Sequence, residues 1–508
     1  MKQANLVVVT WVLGCVLPVL AQEQHSHPTP ERLGTVTFAT SCAPSVQSGF
    51  ERGVALLHSF AYAASEEAFR AVADADPSCA LAHWGMSMSY FHQLWEPPGA
   101  EELRKGLAEI DHARQLGAGS MRERRFIEGA AAYYRDSDHL SHIARAKAYE
   151  RAMAEVAKSN PGDAEAQIFY ALALIATAPP ADRSHANQKR AAEILERLFR
   201  SLPQHPGLAH YLIHAYDSAE LASRGLAAAR AYSKIAPSAP HALHMPSHIF
   251  TRLGYWDDSI ASNRAARAAA HAEGDLGEEL HAMDYLTYAY LQRGRETDAG
   301  RVVDDLGAMS GLPTAQFKVG YAATAMPVRF AVERRQWATA ASLQPPMQSA
   351  PHVAAIVHWA RAIGQARSGH PQESDSDLAK LNVCLHQLQS SGNTYWAIQT
   401  EVLSEEAQAW LLEARGMADE ATRRMRSAAD KEDAVEKLPV TPGPIVPARE
   451  QLGEMLLELK RPRDALREFQ SALIEAPGRR GALTGAVQAA ELVGDVRTAA
   501  RLRAELNR

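Results

Sequence analysis

The sequence predicts an all-α protein, a solenoid of stacked helical hairpins that winds into a superhelix. Three observations carry this prediction. Ala-rich stretches place apolar residues at helical spacing, and strand-like alternation is nearly absent. Short turns, often holding Gly, separate these stretches in pairs, and Pro closes many of the pairs. The pattern recurs about every 34 residues, the mark of a helical-hairpin array. The 508 residues are 46% hydrophobic and 22% charged, ordinary values for a folded chain with a large core. The net charge of −6, with no block of Lys or Arg, argues against a nucleic-acid partner.

The N-terminus reads as a targeting segment. Met1-Lys2 precedes a run from Leu6 to Leu20 that is apolar apart from Thr10, Gly14, Cys15 and Pro18, and polar sequence follows Ala21. This is the pattern of a secretory signal over residues 1–21, cut after Ala21. Val12-Leu13-Gly14-Cys15 is a competing lipoprotein box. The run is short for a span of about 20 residues, and no later stretch gives the mature chain a membrane span. Export favours disulfides. Cys42 and Cys79 flank the first expected hairpin, where a bridge would pin the N-terminal arm; the alternative is free buried thiols, and Cys384 stays free on either reading.

Residues 22–48 read as a polar arm, 49–437 as the main array, 438–447 as a joint with four prolines, and 448–508 as two closing units. The clearest unit has Leu452, Gly453 and Leu456 on one helix, Ala465, Phe469 and Ala472 on the next, and Pro477 at the end. Gly453 and Ala465 are small where two helices cross closely. Phe469 fills the gap to the neighbouring unit, and Pro477 stops the helix because it has no amide hydrogen. Gly53, Phe69 and Pro77 keep the same offsets, and Pro203 and Pro237 end successive units. On these residues the chain resembles tetratricopeptide repeat proteins of the exported bacterial type, over most of its mature length. The resemblance implies a concave groove lined by the first helix of each unit, which holds a peptide, a protein or a small polar ligand.

The histidines share that register. His210 and His214 are four apart, and His244 and His248 repeat the pair 34 residues later. Counted in the repeat, His210 and His244 take position 5, His214 and His248 position 9, His241 and His281 position 2, and Asp217 position 12. Asp284 takes position 5 and Tyr288 position 9 of the next unit. Residues four apart share a helix face about 6 Å apart along the axis, and neighbouring helices lie about 8–10 Å apart. His210, His214, His244 and His248, with Asp217 or Asp284, are therefore candidate ligands for a divalent metal, zinc or copper. Trp84, His241, His281 and Tyr288 are candidate groove residues. Pro246 could break the shared register if it begins a new helix.

Two functions follow. The first is an exported binding scaffold with a peptide, protein or small polar ligand in its groove. The alternative is a metal-binding protein, or a metal-dependent enzyme, built on the His cluster. The sequence has no Gly-x-Ser-x-Gly elbow, P-loop, dinucleotide fingerprint or His-Glu-x-x-His motif, and it names no reaction.

Overall fold

A computed structural model describes residues 31–94, 97–347, 349–438 and 440–507. The expected signal segment lies outside the described residues. Arg32–Arg508 form one compact unit, and of the other, Met1–Glu31, only Glu31 is described. No strand occurs among the described residues, and none of their helices is long and apolar enough to cross a membrane.

Twelve consecutive helical hairpins run from Gln47–His58 with Tyr62–Ala75 to Arg480–Leu492 with Val496–Leu506. The protein is an α-solenoid of tetratricopeptide-like units. Its packing device is visible in two of them. A Cβ on Gly53 would lie 2.9 Å from the Phe69 ring, and one on Gly85 would lie 2.4 Å from it. Gly453 and Gly485 face Phe469 in the same way, at 2.7 and 2.2 Å. Each Phe is therefore held between two helices that have no side chain at the contact, which lets one ring close three helices together.

The arm and the joint differ from expectation. Leu33, Val36 and Phe38 of the arm are buried, and Phe38 packs on Phe50, Trp84 and Phe126. The Thr35 amide donates to the Gln204 carbonyl at 2.8 Å, and the Ser41 hydroxyl donates to Glu123 at 2.6 Å. Residues 32–46 thus tie early hairpins to the fifth, because three well-spaced apolar residues outweigh the segment's polar average. Cys42 and Cys79 form a disulfide with their Cα atoms 4.8 Å apart, and Cys384 is free and buried.

The Pro-rich joint is a packed strap. Val440, Thr441, Ile445 and Val446 are buried. Prolines leave backbone carbonyls without ladder partners, and Arg329 supplies donors. Its guanidinium reaches the carbonyls of Pro444 at 2.8 Å, Ile445 at 3.2 Å and Gly443 at 3.3 Å. The closing units also fold back on the middle ones, with Trp256 donating to Gly478 O at 3.0 Å and Arg479 reaching Glu333 and Tyr288.

Candidate metal centre

Three first helices lie together: Pro206–Tyr216, the broken helix Pro240–His244 and Pro246–Arg252, and Leu276–Gln292. Pro206 and Pro240 sit at the first helical position, where a missing amide hydrogen costs nothing. Pro246 interrupts the second helix, yet Met245 keeps helical dihedrals (φ −53°, ψ −35°) and the chain continues in the same sense. The shared face survives the break. Nε2 of His244 and His248 lie 3.0 Å apart, against 3.1 Å for His210 and His214 on their unbroken helix.

His241 joins the first pair and His281 the second. Two triads result, His210-His214-His241 and His244-His248-His281, and within each the ligand atoms lie within 4.8 Å of one another. All six side chains are buried, from 0% exposed for His210 and His244 to 6% for His214. The triads adjoin: the rings of His214 and His248 are 6.0 Å apart, and those of His241 and His244 6.1 Å.

The outer partners fix which nitrogen carries the proton. His210 Nδ1 donates to the His58 carbonyl at 2.6 Å, and His241 Nδ1 donates to Glu278 at 3.1 Å. His244 Nδ1 faces Asn263 Oδ1 at 2.6 Å, and the Asn263 amide is oriented by its own donation to Ser259 O at 2.8 Å. His248 Nδ1 donates to Asp217 at 2.9 Å. These acceptors have no proton to give, so the neutral His244 and His248 each direct an Nε2 lone pair toward the other across 3.0 Å. Burial, followed by His281 and then His248, holds His244 well below the usual imidazole range, and burial lowers His248 to about 4. A proton is therefore a poor mediator between them. A metal ion is a good one: bonds of about 2.0–2.1 Å to two imidazoles put the nitrogens near this separation. The outer partners are of the kind that orient metal-bound imidazoles.

Asp217, expected as a ligand, lies behind His248 on Nδ1. It also accepts from Arg252 Nε and Lys437 Nζ, both at 2.9 Å. Burial raises its pKa, but Lys437, Arg252 and His248 outweigh that and hold it well below the carboxylate range. Asp284 belongs to neither triad. It sits 3.8 Å from the Arg329 guanidinium with both carboxylate oxygens lacking a hydrogen bond, and burial raises it to about 6. Glu278, pushed up by burial, is held down by Lys318 and His241.

The four expected groove residues are all buried. Trp84 packs among Phe38, Phe69, Phe126 and Phe169, so its repeat position serves the core. Tyr288 receives a hydrogen bond from Arg479 at 3.2 Å and lies against Arg329. His241 and His281 are the third members of the two triads. The sequence already held their signal, because both occupy position 2 of the unit that follows each pair. His58, Asn263 and Glu278 carried no such signal.

Two other His clusters pair their imidazoles with a carboxylate. In His58-Glu165-His205 both imidazoles meet the carboxylate at 2.9 Å, and Tyr211 meets His58 Nδ1. In His83-Glu109-His112, His83 Nδ1 donates to Glu109 at 2.7 Å.

Among known proteins, no family model and no curated sequence matches this chain. Solved structures do. One is IFIT1 as a monomeric mutant with Gppp-AAAA, at 10% identity and a TM-score of 0.36, covering 84% of this chain and 90% of that one. The human IFIT1 dimer with PPP-AAAA is similar at 9% identity and a TM-score of 0.35, over 84% and 90% of the two chains. A complex of Naa15/Naa10 bound to HypK-THB gives 12% identity and a TM-score of 0.25, over 90% and 69%. Likenesses this distant carry no function to this chain.

Proposed function

We propose that this chain is an exported metal-binding repeat protein whose fifth to seventh hairpins cage a late transition metal among imidazoles. One observation carries the reading. His244 and His248 have their protons committed on Nδ1 and bring two lone pairs within 3.0 Å in a buried site. Such a pair is repulsive until a cation lies between its members. Among the described residues the donors of both triads are imidazoles, a set that suits copper or zinc. When bound, such an ion supplies a Lewis-acid centre. The residues of this chain orient the imidazoles, keep them neutral and exclude bulk water. Export is supported by the N-terminal segment and by the Cys42–Cys79 bridge, which persists in oxidising compartments.

A peptide laid over the triads would meet a sealed surface, so the groove-binding reading moves elsewhere on the scaffold. A cavity of about 410 Å³ between the eighth hairpin and the closing units, lined by Trp337, Trp410, Glu333, Glu454 and Arg480, is the place that favours a small polar ligand.

Elemental analysis of the purified full chain tests the metal reading. Stoichiometric copper or zinc is expected, lost when His214 and His248 are both changed to Ala. A metal-free protein whose unfolding midpoint stays put on addition of either metal sinks the proposal.

A further inference from the structure

We infer that the centre holds two copper ions side by side, one on His210, His214 and His241 and the other on His244, His248 and His281. The inference rests on the metal reading above and adds number, arrangement and element to it.

The repeat register argues for two ions. Each triad takes positions 5 and 9 from one hairpin and position 2 from the next, so a shift of one unit carries His210 to His244 and His214 to His248. The third ligand is likewise supplied one unit on in both cases, by His241 and by His281. A scaffold that builds one three-imidazole site by this rule builds a second one beside it. Each set of three already matches the protein ligand count of an open metal site.

Each triad also has its own surroundings. The Phe60 ring faces the first, 4.4 Å from His210, 5.8 Å from His214 and 5.6 Å from His241. The Tyr285 ring faces the second, 4.7 Å from His244, 5.1 Å from His248 and 5.3 Å from His281. Each triad has one outer carboxylate on an Nδ1, Glu278 behind His241 and Asp217 behind His248. A single ion would leave one of these matched sets without an occupant.

Charge selects the metal. Among the described residues the six donors are imidazoles, which bind a metal as neutral ligands and so do not offset the charge of the ions. The cost of burying an ion grows with the square of its charge, and so does the repulsion between two equal neighbours. A pair of monovalent ions meets both costs at about a quarter of the value for a divalent pair. Copper has a stable monovalent state and zinc does not.

Anaerobic titration of the metal-free full chain with Cu(I), against a chromogenic chelator, tests the number. Two equivalents per chain are expected, falling to one in His241→Gln and to one in His281→Gln. After oxidation with ferricyanide, the electron paramagnetic resonance of the wild type should carry the dipolar broadening and half-field line of two adjacent Cu(II) ions, whereas each single variant should give an unbroadened mononuclear signal. The wild-type spectrum answers the question even where a variant does not fold. One equivalent in the wild type, or two retained in His281→Gln, overturns the pair while leaving the metal reading intact. No bound metal at all defeats both. Two zinc ions retained against equimolar copper overturn the choice of element.

Discussion

Asn263 shows how much one amide decides at the residue scale. Its carbonyl oxygen takes the Nδ1 proton of His244, and its amino group is occupied by Ser259 O, so the acceptor cannot turn into a donor. With Nδ1 committed, only Nε2 remains for an ion. Asn263→Ala removes that commitment without touching an inner ligand. Metal affinity should fall about 10–100-fold, measured by chelator competition on protein whose circular dichroism is unchanged. An affinity equal to wild type would show that the tautomer is set by other means. Asp217 makes the same kind of bond to His248, but its substitution would also take the carboxylate from Lys437 and leave Arg252 with the Glu436 carboxylate, so it is the less discriminating choice.

At the scale of the element, the glycines around Phe469 and the strap around Arg329 invite different tests. Gly485→Ala puts a methyl group 2.2 Å from the ring, in a helix that cannot retreat without opening its neighbour. A loss of about 1–3 kcal/mol is expected from overpacking, read as a lower denaturant midpoint. The Arg329 guanidinium satisfies three strap carbonyls, and Arg329→Met leaves them buried and unpaired. Amide exchange over residues 440–446 should then accelerate and bound metal should leave faster, since the strap covers the second triad through the Tyr285 bond to Thr441 O. Unchanged exchange there would mean that packing alone holds the strap.

The same elements show what could be read in the sequence. The hairpins, the Phe69 and Phe469 units and both His pairs were legible because each depends on a spacing. His241 and His281 have the right register but read as groove residues, because a repeat position does not say whether its face is open or covered. The outer shell was not legible. His58, Asn263 and the strap come from separate parts of the chain, and only folding brings them to the helices that carry the imidazoles. Asp217 and Asp284 read as ligands by chemical type, but their buried basic neighbours, Lys437 and Arg252 for the one and Arg329 for the other, hold them outside the triads.

At the scale of the whole molecule, buried carboxyls and buried imidazoles pull the response to pH in opposite directions. Burial, and then Glu432, raise Glu406 well above the usual range, and Asp284 lies at about 6. A carboxyl with a raised folded pKa binds more protons folded than unfolded, so it lowers stability as pH rises above the ordinary value near 4.5. Asp284 and Glu406 therefore cost stability as pH rises past about 5, whereas the buried imidazoles of His210, His214, His244, His248 and His281, held below their unfolded value of 6.5, add stability to the metal-free chain as pH rises toward 7. Glu406→Gln removes one of the opposing carboxyls, so the thermal midpoint should gain more between about pH 5 and pH 8 than in the wild type. A smaller gain in the variant would show that the charged form is the stabilised one.

The sharing of each triad between adjacent hairpins constrains how such a chain can change in length. Solenoids ordinarily gain or lose units by duplication and deletion, because each unit contacts only its neighbours. Here a unit inserted after the fifth hairpin would separate His210 and His214 from His241, and one inserted after the sixth would separate His244 and His248 from His281. The hairpins that carry His210 through His281 are thus heritable only as a block, embedded in an array whose other members can in principle be counted more freely.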